Sequence, residues 1–206
     1  CIGNRLVTGK HKVVSVQGSF HGASLDAIAV GGEEQFRKYM GQLYPETIFI
    51  PQPDKYRNGY EQELHFTELL DEVLSRNEGV GAFIAETIRN TDVQIPSAGF
   101  WQSIREICDR HNVLLILDEI PIAFGRTGTL FAFEQYGIVP DILCLGKGLG
   151  AGAFPMAAIV TKEKYNIAGD VALGHYTHEK SPWGAAAALA MIDFTIQQNL
   201  LEKIKE

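Results

Sequence analysis

The sequence predicts an α/β protein built on a mostly parallel sheet, and three observations point there. Short aliphatic or β-branched runs alternate with stretches whose apolar residues recur at helical spacing. The run 113–117 is continuously aliphatic, as a strand buried on both faces must be. No repeat, low-complexity tract or interdomain linker interrupts the 206 residues, so one domain is expected.

In chain order, residues 13–17 form a β-branched run that breaks at Gly18. Residues 33–43 are polar, with Phe36, Tyr39, Met40 and Leu43 at helical spacing, which predicts a helix. Residues 47–50 read as a strand stopped by Pro51, and a loop follows to Gly59. Between Glu61 and Arg76, Leu64, Leu69, Leu70, Val73 and Leu74 mark a second helix, and 81–86 the next strand. A helix over 98–111 carries Phe100, Ile104, Ile107 and Cys108 on one side. Strands at 113–117, 141–145 and 156–160 come next, and a long helix over 185–205, rich in alanine at its start, closes the chain.

A hydrophobic share of 46% with 21% charged residues is that of an ordinary globular protein. The net charge of −7 argues against non-specific nucleic-acid binding, which needs a basic face. No apolar run approaches bilayer-spanning length, and no charged-then-apolar leader opens the chain. Cys1, Cys108 and Cys144 lack the spacing of a metal knuckle or redox pair. A reducing, cytoplasmic setting without a bound metal is the expectation. Because the chain opens on Cys1 and stops at Glu206 inside an unfinished amphipathic pattern, it is expected to be an excerpt of a longer polypeptide.

Reactive groups in open α/β sheets gather just past the carboxyl ends of strands. Three places satisfy that rule: Asp118-Glu119, Lys147 within Leu145-Gly146-Lys147-Gly148-Leu149-Gly150, and Phe20-His21-Gly22. Alone, Gly-Lys-Gly reads as a glycine-rich turn with a solvated lysine, and Asp118 as a helix cap or metal ligand. Taken together they are what pyridoxal phosphate requires: an amine for its aldehyde, a carboxylate for its pyridine nitrogen, and a flat contact for its ring. The Walker spacing for a nucleotide phosphate is absent.

The stretch Leu117-Asp118-Glu119-Ile120-Pro121-Ile122-Ala123-Phe124-Gly125-Arg126-Thr127-Gly128, followed by Phe131-Ala132-Phe133-Glu134, Pro140-Asp141-Ile142 and Gly146-Lys147-Gly148-Leu149-Gly150, resembles the class III (omega) aminotransferases of fold type I. The resemblance runs nearly end to end, from Ser19-Phe20-His21-Gly22 to the closing helix. It implies a three-layer sandwich, with residues 1–206 forming an incomplete large domain that binds pyridoxal 5'-phosphate. The phosphate-cupping segment upstream and the small C-terminal domain would lie outside the chain.

By the same resemblance, Lys147 is the Schiff-base (aldimine) lysine that later moves a proton at the substrate's α-carbon, and Asp118 keeps the ring nitrogen protonated. Phe20 stacks on one ring face and Ile120 packs on the other. Thr177 reaches the cofactor phosphate of a neighbouring subunit, which implies a homodimer with shared active sites. His21 and Glu86 match pocket-side positions without a firm role. Arg126 matches a loop and interface brace, although an arginine between glycines also suits a substrate carboxylate.

The sequence leaves the family pattern in three places. Pro121 stands where a glutamine usually faces the cofactor's phenolic oxygen, and proline supplies no donor. Glu86-Thr87-Ile88-Arg89-Asn90-Thr91-Asp92-Val93 replaces a glycine- and glutamate-rich stretch, with Thr91 where a second glutamate is common. His175-Tyr176-Thr177-His178-Glu179-Lys180 replaces small residues before Pro182; it reads equally as an anion-binding segment or a solvated interface loop. The resemblance implies transamination of an amine or amino acid with an oxo acid. These departures keep open a lyase acting on amino-alcohol phosphates or phosphonates, or a racemase or epimerase, because fold and cofactor do not fix reaction type. A non-catalytic fragment is the remaining reading.

Overall fold

The structure, a computed structural model, describes residues 2–44, 46–167, 169–173 and 176–205. Six strands form one sheet: β1 (Lys12–Val16), β2 (Thr47–Ile50), β3 (Val80–Glu86), β4 (Leu114–Asp118), β5 (Ile142–Leu145) and β6 (Ala158–Thr161). Their order is β2-β1-β3-β4-β5-β6. All neighbours pair in parallel except β5 and β6, which run antiparallel. Antiparallel pairing at this edge was not legible in so short a strand.

The described residues also form eight helices: α1 (Ile2–Thr8), α2 (Leu25–Val30), α3 (Glu34–Arg37), α4 (Lys55–Asn58), α5 (Glu61–Arg76), α6 (Phe100–Arg110), α7 (Pro182–Gln197) and α8 (Leu200–Lys205). The central strand β3 is buried along its whole length, and its side chains alternate between two cores. Phe83 and Ala85 join Phe66, Leu70 and Leu74 of α5 and Trp101, Ile104 and Cys108 of α6. Ala82 and Ile84 join Val13, Val30 and Leu114 on the other face, with Val7 of α1 packed against them. The result is the helix–sheet–helix sandwich expected from the sequence.

Two predicted helices are corrected. The stretch 33–43 is helical only over Glu34–Arg37, because Tyr39 (φ 69°) and Gly41 (φ 70°) turn left-handed. Its Phe36 packs on Phe20 instead of continuing an apolar stripe. The closing helix starts earlier, at Pro182 in the first turn, where a missing N–H costs nothing. It is broken at Asn199 (φ 49°) before α8 resumes. The short helices α1 and α2 carried too little periodicity to be read. Among the described residues, no helix is long and apolar enough to cross a membrane.

Candidate active site

β4 delivers Asp118 to the carboxyl edge of the sheet, directly beside Glu86 at the end of β3. Apolar residues precede both on these strands, so both carboxylates emerge from a dry core. Asp118 is buried; its Oδ1 accepts the Ile120 backbone N–H at 3.0 Å, and its Oδ2 lies 2.9 Å from His21 Nδ1. A carboxylate only accepts, so the contact puts the imidazole proton on Nδ1. That leaves His21 Nε2 buried with no partner among the described residues. A buried polar atom without a partner is costly and is uncommon unless a ligand meets it.

Phe20 and His21 arrive from the turn after β1. The Phe20 N–H lies 3.5 Å from Glu86 Oε1, and the Asn90 N–H donates to Oε2 at 3.0 Å. Burial pushes the Glu86 carboxyl up; the Asn90 N–H, the nearby His21 and the Phe20 N–H oppose that rise, and Asp118 adds to it. The Phe20 ring is 37% exposed, and its centroid is 5.1 Å from that of Phe36.

Lys147 opens a 3-10 turn, Lys147–Gly150, just past β5. Its side chain is exposed, and among the described residues it makes no hydrogen bond or ion pair. Its φ of 42° is unusual for a non-glycine residue, the kind of local strain that collects at functional sites. The segments bearing Asp118 and Lys147 converge. The Glu119 N–H donates to the Cys144 carbonyl at 3.0 Å. Ile120 packs so closely on Gly146 that a Cβ there would meet its Cγ2 at 3.3 Å. Glycine before Lys147 therefore admits Ile120, and one aliphatic side chain separates the carboxylate's loop from the amine's.

Glu119 points the other way. It accepts the Thr87 hydroxyl and the backbone N–H groups of Ala132 and Phe133 at 2.8–2.9 Å, stitching the post-β4 loop to its surroundings. Its carboxyl is also pushed up by burial, against those three donors.

Thr177 lies elsewhere, lining a cleft of about 330 Å³ with Phe154, Met156, His178 and Ser181. Tyr176, His178, Glu179 and Lys180 are exposed there, whereas His175 falls outside the described residues, as does Cys1. Arg126 is exposed and, among the described residues, makes no hydrogen bond or ion pair. Sequence patterns assign no role to Arg89, which donates to the Gln17 and Gly18 carbonyls in the turn that leads to Phe20 and His21. Its only signal was an arginine three residues beyond a strand-ending glutamate, inside a segment already marked as departing from the family.

A family model described as aminotransferase class III matches residues 2–206. The chain belongs to the class III aminotransferases. That family's cofactor is pyridoxal phosphate. The chain is 50% identical, over 98% of its length, to an (R)-1-hydroxy-2-aminoethylphosphonate ammonia-lyase of Vibrio splendidus, of which it covers 46%. It is 35% identical, again over 98% of its length, to an acetylornithine aminotransferase of Methanosarcina acetivorans, covering 47% of that enzyme. Among solved structures it is similar to an amine transaminase from an uncultivated Pseudomonas species in the PLP-bound form. The TM-score is 0.86 at 28% identity, covering 97% of this chain and 49% of that one. The chain thus spans about half the length of the curated relatives it matches.

The residues present fit the ring of that cofactor. They include a buried carboxylate that could meet the pyridine nitrogen, an exposed amine, an aromatic and an aliphatic side chain nearby, and an imidazole nitrogen that has no partner among the described residues.

Proposed function

We propose that the full-length protein is a pyridoxal-phosphate-dependent ammonia-lyase acting on a small amine that carries a hydroxyl and a phosphonate or phosphate. The observation that carries this reading is the 50% identity to the phosphonate ammonia-lyase, against 35% to the acetylornithine aminotransferase over the same share of the chain. Pro121 and Thr91 support it, since both depart from residues usual in the transaminating members.

Bound pyridoxal phosphate supplies an electron sink for the bond broken at the amine-bearing carbon. In this reading the chain's own residues do the rest. Asp118 holds the ring nitrogen in its charged form, and His21 holds Asp118 through the 2.9 Å contact. Phe20 and Ile120 would hold the two faces of the ring. The Lys147 amine tethers the cofactor and then moves the proton at the substrate carbon. Thr177 serves the phosphate of a second subunit, so the working form is a homodimer, and its setting is cytoplasmic.

Transamination is the second reading, favoured by the acetylornithine aminotransferase and the PLP-bound amine transaminase among its relatives. One experiment separates the two. Purified full-length protein is incubated with 2-amino-1-hydroxyethylphosphonate, with and without an oxo acid, and ammonia is followed. The expected result is ammonia without an oxo acid, abolished together with the visible cofactor band by Lys147→Ala. Amino transfer that requires the oxo acid would instead establish the second reading, and no cofactor band in the wild type would defeat both.

A further inference from the structure

We infer that Arg89 is a positioning residue for the cofactor site, holding the Phe20–His21 wall in place through the backbone of Gln17 and Gly18. The inference rests on the cofactor reading given above. It arises from the geometry of three loops that leave the carboxyl ends of β1, β2 and β3.

Arg89 lies three residues past the end of β3, and only 14% of its side chain is exposed. Its guanidinium makes two hydrogen bonds and one ion pair. Nη1 donates to the Gln17 carbonyl at 3.0 Å and Nη2 to the Gly18 carbonyl at 2.6 Å. Nε lies 3.0 Å from Asp92 Oδ1, an ion pair rather than an aligned hydrogen bond. The other Asp92 oxygen accepts Gln52 Nε2 at 2.9 Å and Gln94 Nε2 at 3.4 Å. Because the Arg89 N–H donates to the Gln94 carbonyl at 3.1 Å, the segment 89–94 closes on itself as a small hairpin. Gln52 adds the loop after β2.

The turn is shaped around the guanidinium. Gly18 has φ +66°, and a Cβ there would sit 2.8 Å from Arg89 Nη2. Only glycine permits both the left-handed turn and this approach. From Gly18 the chain passes through buried Ser19 to Phe20 and His21, and His21 ends on Asp118. Glu86 closes the circuit, accepting from the hairpin through the Asn90 N–H and facing the Phe20 N–H. Asp92, Arg89, the 17–18 carbonyls, His21 and Asp118 thus form one connected path. The path runs from the hairpin beyond β3 to the carboxylate that, in the reading above, would meet the cofactor ring.

An arginine is needed for this. Its planar fork meets two successive carbonyls and a carboxylate at once, whereas a lysine ammonium is a point donor. Groups that hold a ligand-binding side chain from behind tune what it binds without touching the ligand.

The test uses full-length protein loaded with pyridoxal phosphate and the variants Arg89→Ala, Arg89→Lys and Asp92→Asn. Cofactor affinity, visible circular dichroism per bound cofactor, turnover and melting temperature are measured together. Arg89→Ala is expected to raise the cofactor's dissociation constant about tenfold and to reduce its visible ellipticity, which reports how the ring is held. Arg89→Lys should recover part of both, and Asp92→Asn should move both in the same direction by less. If Arg89→Ala does not fold, the other two variants decide. A lower melting temperature with unchanged ellipticity and turnover would reduce Arg89 to a structural tie and overturn the inference. Wild-type protein that takes up no cofactor would remove the reading beneath it, and the inference with it.

Discussion

Two buried aspartates on neighbouring strands meet opposite fates. Asp141, just before β5 at the amino edge of the sheet, receives four donors. Its Oδ2 accepts from Arg105 Nη1 at 2.8 Å and the Leu115 N–H at 3.0 Å; its Oδ1 accepts from Lys162 Nζ and the Tyr165 hydroxyl at 2.9 Å. Asp118, at the carboxyl edge, has one backbone N–H and one imidazole whose far nitrogen has no partner. Burial alone would raise the Asp141 carboxyl, but the Leu115 N–H, Lys162, Arg105 and Tyr165 together hold it down at about 2. A saturated carboxylate has nothing left to offer a ligand; an undersaturated one at the reactive edge does. Saturation, more than burial, separates the structural aspartate from the one proposed to meet the cofactor.

The largest effect should come from breaking the saturated site. Asp141→Asn leaves Arg105 and Lys162 without their shared anion and should cost about 3–5 kcal/mol of unfolding free energy, read by urea denaturation. Cofactor binding, once folded protein is recovered, should be unchanged. The sign with pH follows from the lowered value. Asp141's contribution is complete above the unfolded value of about 3.9 and is lost as pH falls toward about 2. Wild-type protein should therefore lose stability between about pH 4 and pH 2 by an amount that the variant does not show.

Asp118→Asn should do the reverse. The amide still accepts from Ile120 or His21, so the fold should lose no more than about 1 kcal/mol. Without the anion beside the ring nitrogen, turnover should fall on the order of a hundredfold. Steady-state kinetics and a thermal melt on one preparation check both halves. A large melting shift with unaltered turnover would erase the contrast between the two aspartates.

Asp118 and Lys147 were legible because each follows a short aliphatic run that had to be a strand, here β4 and β5. Strand ends in a parallel sheet share an edge, so sequence order was enough to bring them together. The same logic placed Phe20 and His21 at that edge, whereas Glu86 was singled out only through the family resemblance. Long-range pairings left no such trace. Asp141 is an ordinary Pro-Asp-Ile in the sequence, and its partners come from α6 and from beyond β6. Arg89 reaches back some seventy residues to carbonyl oxygens, which no residue pattern encodes. The helix over 33–43 failed for a related reason. Phe36 had a tertiary partner in Phe20, and left-handed backbone at Tyr39 and Gly41 ends the helix before the predicted stripe is complete.

Glu86 lies between the two aspartates in character and gives the smallest effect. Two N–H groups face it, one of them at 3.5 Å, and burial holds its carboxyl above the ordinary carboxylate range. Raised values act opposite to Asp141: the native state gains on protonation. Its favourable contribution is therefore full below the unfolded value of about 4.3 and is lost as pH rises through the raised one. At pH 8, well above the unfolded value of about 4.3, a carboxyl raised by burial costs stability, so Glu86→Gln should gain about 0.5–1 kcal/mol, provided the amide oxygen keeps the Asn90 N–H. The gain should vanish toward pH 4, a crossover that denaturation at the two pH values resolves. Stabilisation with reduced turnover would place Glu86 with Asp118, as a group whose cost is retained for what it does at the cofactor edge. Destabilisation at pH 8 would place it with Asp141, as an anion that the His21 loop needs in order to stay folded against β3.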